Sequence, residues 1–169
     1  ADAAMEGDFD AVRALITRGA DVNASQGDGM TALHWAAESG NVAMIETLLF
    51  AGAFTDVATR NGSYTALHLG ARAGQATAVE ALLLAGANPV ARTVTGVTPL
   101  HFAAASAAVA SVTALVEHGA DVDAVEYASE QTPLIFAAAA NRVASIEALL
   151  SAGADPTLRT TVIDVTARS

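Results

Sequence analysis

The sequence predicts an all-α solenoid of helix-turn-helix units joined by β-turn fingers, and two recurring features predict it. A tetrad returns at spacings of 34, 33 and 34 residues, as Thr31-Ala-Leu-His34, Thr65-Ala-Leu-His68, Thr98-Pro-Leu-His101 and Thr132-Pro-Leu-Ile135. A Gly-Ala pair follows 21 residues after each Thr, at Gly52-Ala53, Gly86-Ala87, Gly119-Ala120 and Gly153-Ala154. A fixed period of about 20–50 residues marks units that bury their apolar faces only against their neighbours.

In chain order, residues 1–27 form a partial leading repeat, with Gly7, Val12, Leu15, Ile16 and Gly19 in register. Full repeats follow over 28–61, 62–94, 95–128 and 129–158, and 159–169 is a degenerate terminal unit in which Ile163, Val165 and Ala167 belong to a last helix. Each tetrad opens a first helix. Its Thr is an N-cap, and Pro99 and Pro133 stand at the first helical position, where no backbone N–H is needed. The His lies three residues after the cap, placed to bond back to the Thr as in a capping box. Gly7, Gly40 and Gly74 end first helices in a left-handed conformation. Ala107 and Asn141 occupy that position in the later copies, at a cost of about 1 kcal/mol for the alanine. Second helices carry apolar residues in i, i+3, i+4 phase: Ile45, Leu48, Leu49; Val79, Leu82, Leu83; Val112, Leu115, Val116; Ile146, Leu149, Leu150. The polar segments after them make the fingers. Ser63 and Glu130 replace the finger glycine two residues before the Thr, which predicts a different bend in those two fingers. Ile135 removes the polar link of the fourth tetrad.

These motifs resemble the ankyrin repeat, whose hallmarks are a Thr-Pro-Leu-His tetrad and a Gly-Ala-Asp-Val-Asn-Ala ending. The ending is intact at Gly19-Ala-Asp-Val-Asn-Ala24 and nearly so at Gly119-Ala-Asp-Val-Asp-Ala124. The resemblance spans almost the whole chain. It implies an ankyrin-repeat solenoid acting as a non-enzymatic protein-interaction module. The competing expectation is a structural subunit or spacer that stacks through its repeat ends in a larger assembly.

Composition narrows the function classes. About a quarter of the residues are alanine, falling at matching places in each copy, so adjacent helices can approach closely. The net charge is −10, with eight Arg and no Lys. A chain of this sign without a basic run is poorly suited to a phosphate backbone, which argues against nucleic acid. The absence of Lys beside abundant Ala and Arg suggests a GC-rich, bacterial source. No Cys is present, so disulfides and thiolate metal sites are excluded. The 24 residues Thr93–Val116 carry no formal charge, but Gly96, Pro99 and His101 sit in repeat phase, so no membrane insertion is expected. The chain starts without Met. A removed signal peptide would imply a periplasmic or secreted protein, and a trimmed start a cytoplasmic one.

Chemical motifs dissolve into the repeat. Three of the four His are tetrad residues, and His118 sits alone near a helix end, where a cation suits the dipole. Gly27-Asp-Gly29 matches a loose dinucleotide pattern that an ankyrin finger explains fully. Asp121, Asp123 and Glu126 make an acidic finger without the intervals of a calcium loop, so a solvated turn is expected. No catalytic group, cofactor or metal is predicted.

In ankyrin-like proteins partners dock on the concave side, against the fingers and the exposed side of the first helices. Carried over by position, the residues after the tetrads are Trp35, Leu69, Phe102 and Phe136, an apolar ladder that packing between neighbours would also explain. Those before each Thr are Met30, Tyr64, Val97 and Gln131. Further out lie Arg60, Val94 and Tyr127, with Glu38 and Arg72 at the helix tips. Finger tyrosines are harder to explain by packing, which makes Tyr64 and Tyr127 the expected hot spots. The expected partner is a protein segment or surface, in which basic patches would complement the acidic body.

Overall fold

The computed structural model describes residues 1–160. The described residues hold ten helices in five consecutive pairs: α1 (Asp2–Met5) with α2 (Phe9–Thr17), α3 (Ala32–Ser39) with α4 (Val42–Phe50), α5 (Ala66–Arg72) with α6 (Ala76–Leu84), α7 (Pro99–Ser106) with α8 (Val109–Glu117), and α9 (Pro133–Ala139) with α10 (Val143–Ser151). First helices pack on first helices and second on second, giving two layers. The terminal unit expected over 159–169 lies, apart from its first two residues, outside the described residues. The uncharged stretch from Thr93 is divided between a finger, α7 and α8. Among the described residues no helix is long and apolar enough to cross a membrane.

The core lies between the layers. Leu33, Leu67 and Leu100 come from the first helices, and Ile45, Leu48, Val79, Leu82, Val112, Leu115 and Leu149 from the second; all are buried. Each such side chain contributes about 1.5–3 kcal/mol by leaving water. Ala36, Ala37, Ala103 and Ala104 are fully buried among them, so the alanine pattern is a packing pattern. One copy departs from it. Gly70 occupies the place of Ala36, Ala103 and Ala137 inside α5, and a Cβ there would meet Ala37 O and Val79 Cγ2 at 3.6 Å, an ordinary contact. Gly70→Ala is therefore expected to stabilise the chain by about 0.5–1 kcal/mol, the helix-propensity difference, read as a raised urea midpoint.

The links between paired helices follow the sequence reading. Ala107 closes α7 with φ 68° and Asn141 follows α9 with φ 55°, both left-handed. Ala107→Gly is expected to add about 0.5–1 kcal/mol by removing the Cβ clash of that conformation. A lowered denaturation midpoint would contradict the assignment.

The fingers correct one expectation. Ser63 and Glu130 keep the left-handed conformation of the glycines they replace, with φ 57° and 56°, so the sense of the bend is unchanged. The difference lies in length. The first and third fingers close from Gln26 N–H to Met30 O and from Thr93 N–H to Val97 O, whereas the second and fourth close from Thr59 to Tyr64 and from Glu126 to Gln131. The longer turns fall within the 34-residue spacings and the shorter third turn within the 33-residue one, so the fingertip absorbs the irregular period. Backbone bonds stitch neighbouring fingers together, from Arg60 N–H to Asp28 O (2.8 Å), Val94 N–H to Gly62 O (3.0 Å) and Tyr127 N–H to Thr95 O (2.8 Å). Gly29 is needed at the first crossing, because a Cβ would lie 2.6 Å from Arg60 N.

Candidate protein-interaction face

Three histidines set the geometry of the face formed by the fingers and first helices. His34, His68 and His101 each form a capping box with their Thr. Nδ1 accepts the Thr backbone N–H at 3.1, 3.2 and 3.1 Å. An amide can only donate, so the ring hydrogen resides on Nε2. Nε2 donates to the backbone carbonyls of Tyr64, Val97 and Gln131 at 3.0, 3.2 and 3.0 Å. The residues before the next Thr are thereby pinned to the helix of the preceding repeat. Burial, partly opposed by those carbonyls, lowers all three pKa values, that of His68 to about 4. Both nitrogens of each ring are spent on backbone groups.

Each finger fastens the amide that precedes its Thr. Asp28 Oδ1 accepts Met30 N–H (2.9 Å), Thr59 Oγ1 accepts Tyr64 N–H (3.0 Å) and Thr93 Oγ1 accepts Val97 N–H (3.1 Å). In the fourth finger the buried Glu126 carboxylate accepts from Ala128, Ser129 and Gln131. Burial raises its pKa, but these three amides, with His101 beside it, outweigh that effect and hold the carboxyl below its ordinary range. The expected solvated acidic turn is thus corrected at Glu126, whose oxygens are bound internally. Asp121 and Asp123 likewise accept backbone amides, from Asp123 and Asp155.

The predicted contact residues divide by burial. Met30 and Leu69 are buried, at 8% and 3% exposure, and form floor rather than surface. Trp35 is half-buried and fixed by Gln26, whose Oε1 accepts its Nε1–H at 3.0 Å. Tyr64 is half-buried, with the Arg72 guanidinium 5.5 Å from its ring centroid and Phe102 at 6.0 Å. Phe102 also meets His68 edge-on, and Phe136 meets His101 in the same way at 4.9 Å. Arg72 pairs with Glu38 at 2.9 Å, an exposed pair worth at most about 1 kcal/mol. Arg60 donates to Gly27 O in the preceding finger. Val97 and Gln131 are half-buried and lend their carbonyls to the histidines. Tyr127 is 65% exposed on its finger, 5.7 Å from the Arg92 guanidinium.

Five of these residues come together. Met30, Trp35, Tyr64, Leu69 and Arg72, with Asp28, Glu38, Thr59 and Asn61, line an open groove of about 350 Å³ between two fingers and two first helices. Gln131 and Phe136 line a second hollow of about 320 Å³ with Ala139 and Ala140. Arg60, Val97, Phe102 and Tyr127 line neither. Sequence reasoning missed Gln26, which orients Trp35; a polar side chain nine residues before an aromatic carries no local signal.

A family model described as ankyrin repeats (3 copies) matches residues 1–93 and 86–160. The chain belongs to the ankyrin-repeat family. A curated relative, the Ankyrin repeat and LEM domain-containing protein 1 homolog of Caenorhabditis elegans, is 54% identical over 44 residues, 26% of this chain and 6% of that protein. The chain therefore matches only a small part of that relative's length. Ankyrin repeats in general are protein-interaction modules without catalysis of their own. The capping boxes, finger glycines and alanine-lined core described above are what this ankyrin-repeat chain uses to hold its groove in place.

Proposed function

We propose that this ankyrin-repeat protein binds a protein segment or surface along its fingers and first helices. The groove of about 350 Å³ carries this reading, because it places Trp35 and Tyr64 on a buried apolar floor beside fixed charges. Aromatic side chains held rigid by neighbours suit the role of anchors, since little freedom remains to be lost on binding. The acidic body favours a partner with basic patches and a faster encounter at low salt.

The test is substitution of the two finger tyrosines. Tyr127→Ala is expected to weaken the native complex about tenfold or more, with thermal stability nearly unchanged because the side chain is largely exposed. Tyr64→Ala is expected to weaken binding similarly and to cost about 1 kcal/mol of stability, through loss of its contact with Phe102. Glu147→Ala on the second-helix layer should leave binding alone. A second reading, an assembly subunit or spacer, draws support from Met5 and Leu15, which are 49% and 43% exposed on the leading unit. Association lost by Leu15→Ser but untouched by Tyr127→Ala would select it.

A further inference from the structure

The outer layer carries a feature that the repeat pattern does not ask for. At the last position of the second helices stand Thr17, Phe50, Leu84, Glu117 and Ser151. Phe50 is 97% exposed and Leu84 73% exposed, so neither contributes to the core. Scattered exposed apolar residues are ordinary, but these two occupy matching positions on adjacent helices. Val42, Glu46 and Phe50 form one ridge on α4, spaced by four residues. Thr77, Glu80, Ala81 and Leu84 form another on α6. Val42, Glu46, Thr77, Glu80, Ala81 and Leu84 line an open groove of about 420 Å³ between the two helices.

Charge decides what fits. Glu46 and Glu80 flank the groove one helical turn before the apolar ends, and neither forms an ion pair among the described residues. The nearest candidate by register, Arg13 on α2, instead lies over the Phe9 ring at 5.9 Å. A second copy of the chain, of net charge −10, would bring like carboxylates face to face. We propose that this outer groove docks a basic amphipathic helix of a protein partner. Its apolar side chains cover Phe50 and Leu84, and its Lys or Arg side chains, one turn along, meet Glu46 and Glu80. This surface is separate from the finger face and can be occupied at the same time.

The probe is a synthetic amphipathic helix of leucine and lysine, compared by titration calorimetry with a leucine–glutamate helix of the same pattern at about 0.1 M salt. The lysine helix is expected to bind and the glutamate helix not to. The Phe50→Ser/Leu84→Ser double variant and the Glu46→Gln/Glu80→Gln double variant should each weaken binding about tenfold. The Glu117→Gln/Glu147→Gln variant, an equal charge change on the same layer, and Tyr127→Ala should leave it unchanged. All these side chains are exposed, so folding is expected to survive, and circular dichroism checks it. Failure of the lysine helix to bind overturns the proposal. So does equal weakening by the Glu117/Glu147 variant, which would mean diffuse charge attraction, or a chain dimer in sedimentation that Phe50→Ser abolishes.

Discussion

His68→Ala is expected to cost about 3–5 kcal/mol of folding free energy, a large share of the stability of a domain of this size. The ring is fully buried and joins three groups, of which Thr65 N–H relies on it while Val97 O and Thr65 Oγ1 each keep one further bond, from Thr93 N–H and from the His68 backbone N–H. Nδ1 accepts from Thr65 N–H and lies 2.9 Å from Thr65 Oγ1, while Nε2–H donates to Val97 O. Alanine would leave Thr65 N–H dry and unpaired, remove one bond each from Thr65 Oγ1 and Val97 O, and open a cavity against Tyr64 and Phe102, which meet the ring at 6.1 and 6.2 Å. Unpaired buried polar groups cost about 1–3 kcal/mol each, and lost volume adds to that. Urea unfolding with circular dichroism reads the effect. An unchanged midpoint would show that the ring does not tie the helix start to the next finger.

The same three histidines make stability depend on pH. Their folded pKa values lie below the ordinary 6.5, that of His68 at about 4, through burial. Above pH 6.5 folded and unfolded chains are both neutral at these rings, and the full stability is present. As pH falls below 6.5 the unfolded state takes up protons that the folded state refuses, so stability declines until the folded pKa is passed. His68 alone accounts for a loss of about 2 kcal/mol at pH 5 and about 3 kcal/mol at pH 4. Glu126 and Asp155, also lowered, act later, because their unfolded values are 4.5 and 3.8. The decline between pH 6.5 and 5 is thus a histidine effect. Urea midpoints at pH 7.5 and 5 should differ accordingly, and His68→Gln should show a shallower decline. A flat response over that interval would contradict the neutral, Nε2-protonated rings.

The repeat frame was legible in the sequence because its determinants are local. A cap and its box lie within four residues, and a left-handed turn shows itself as Gly, or as the Ala107 and Asn141 that replace it. The fingertip conformation was not legible at Ser63 and Glu130, whose side chains suggested a different bend, whereas the one-residue difference in finger length leaves its mark in the 34- and 33-residue spacings. The site was legible in part. Of the ladder, Trp35 and Leu69 line the groove, Phe136 lines the second hollow and Phe102 lines neither, and Leu69 is buried while Phe102 is half-exposed. Exposure at one repeat position thus varies from copy to copy, which no local pattern encodes. Glu126 read as one carboxylate in an acidic run, because accepting three backbone amides is a property of the folded turn. Phe50 and Leu84 escaped notice because each extends an apolar run, and a run does not reveal which of its members reaches solvent.

The central claim is that the partner lies on the finger and first-helix face, and photo-crosslinking from single positions tests it most directly. A photoreactive phenylalanine analogue at position 127 reports on the fingers, and one at position 147 reports on the second-helix layer away from the α4–α6 groove. The account predicts that the native complex yields a covalent adduct from position 127 and none from position 147. An adduct from 147 with none from 127 would contradict it.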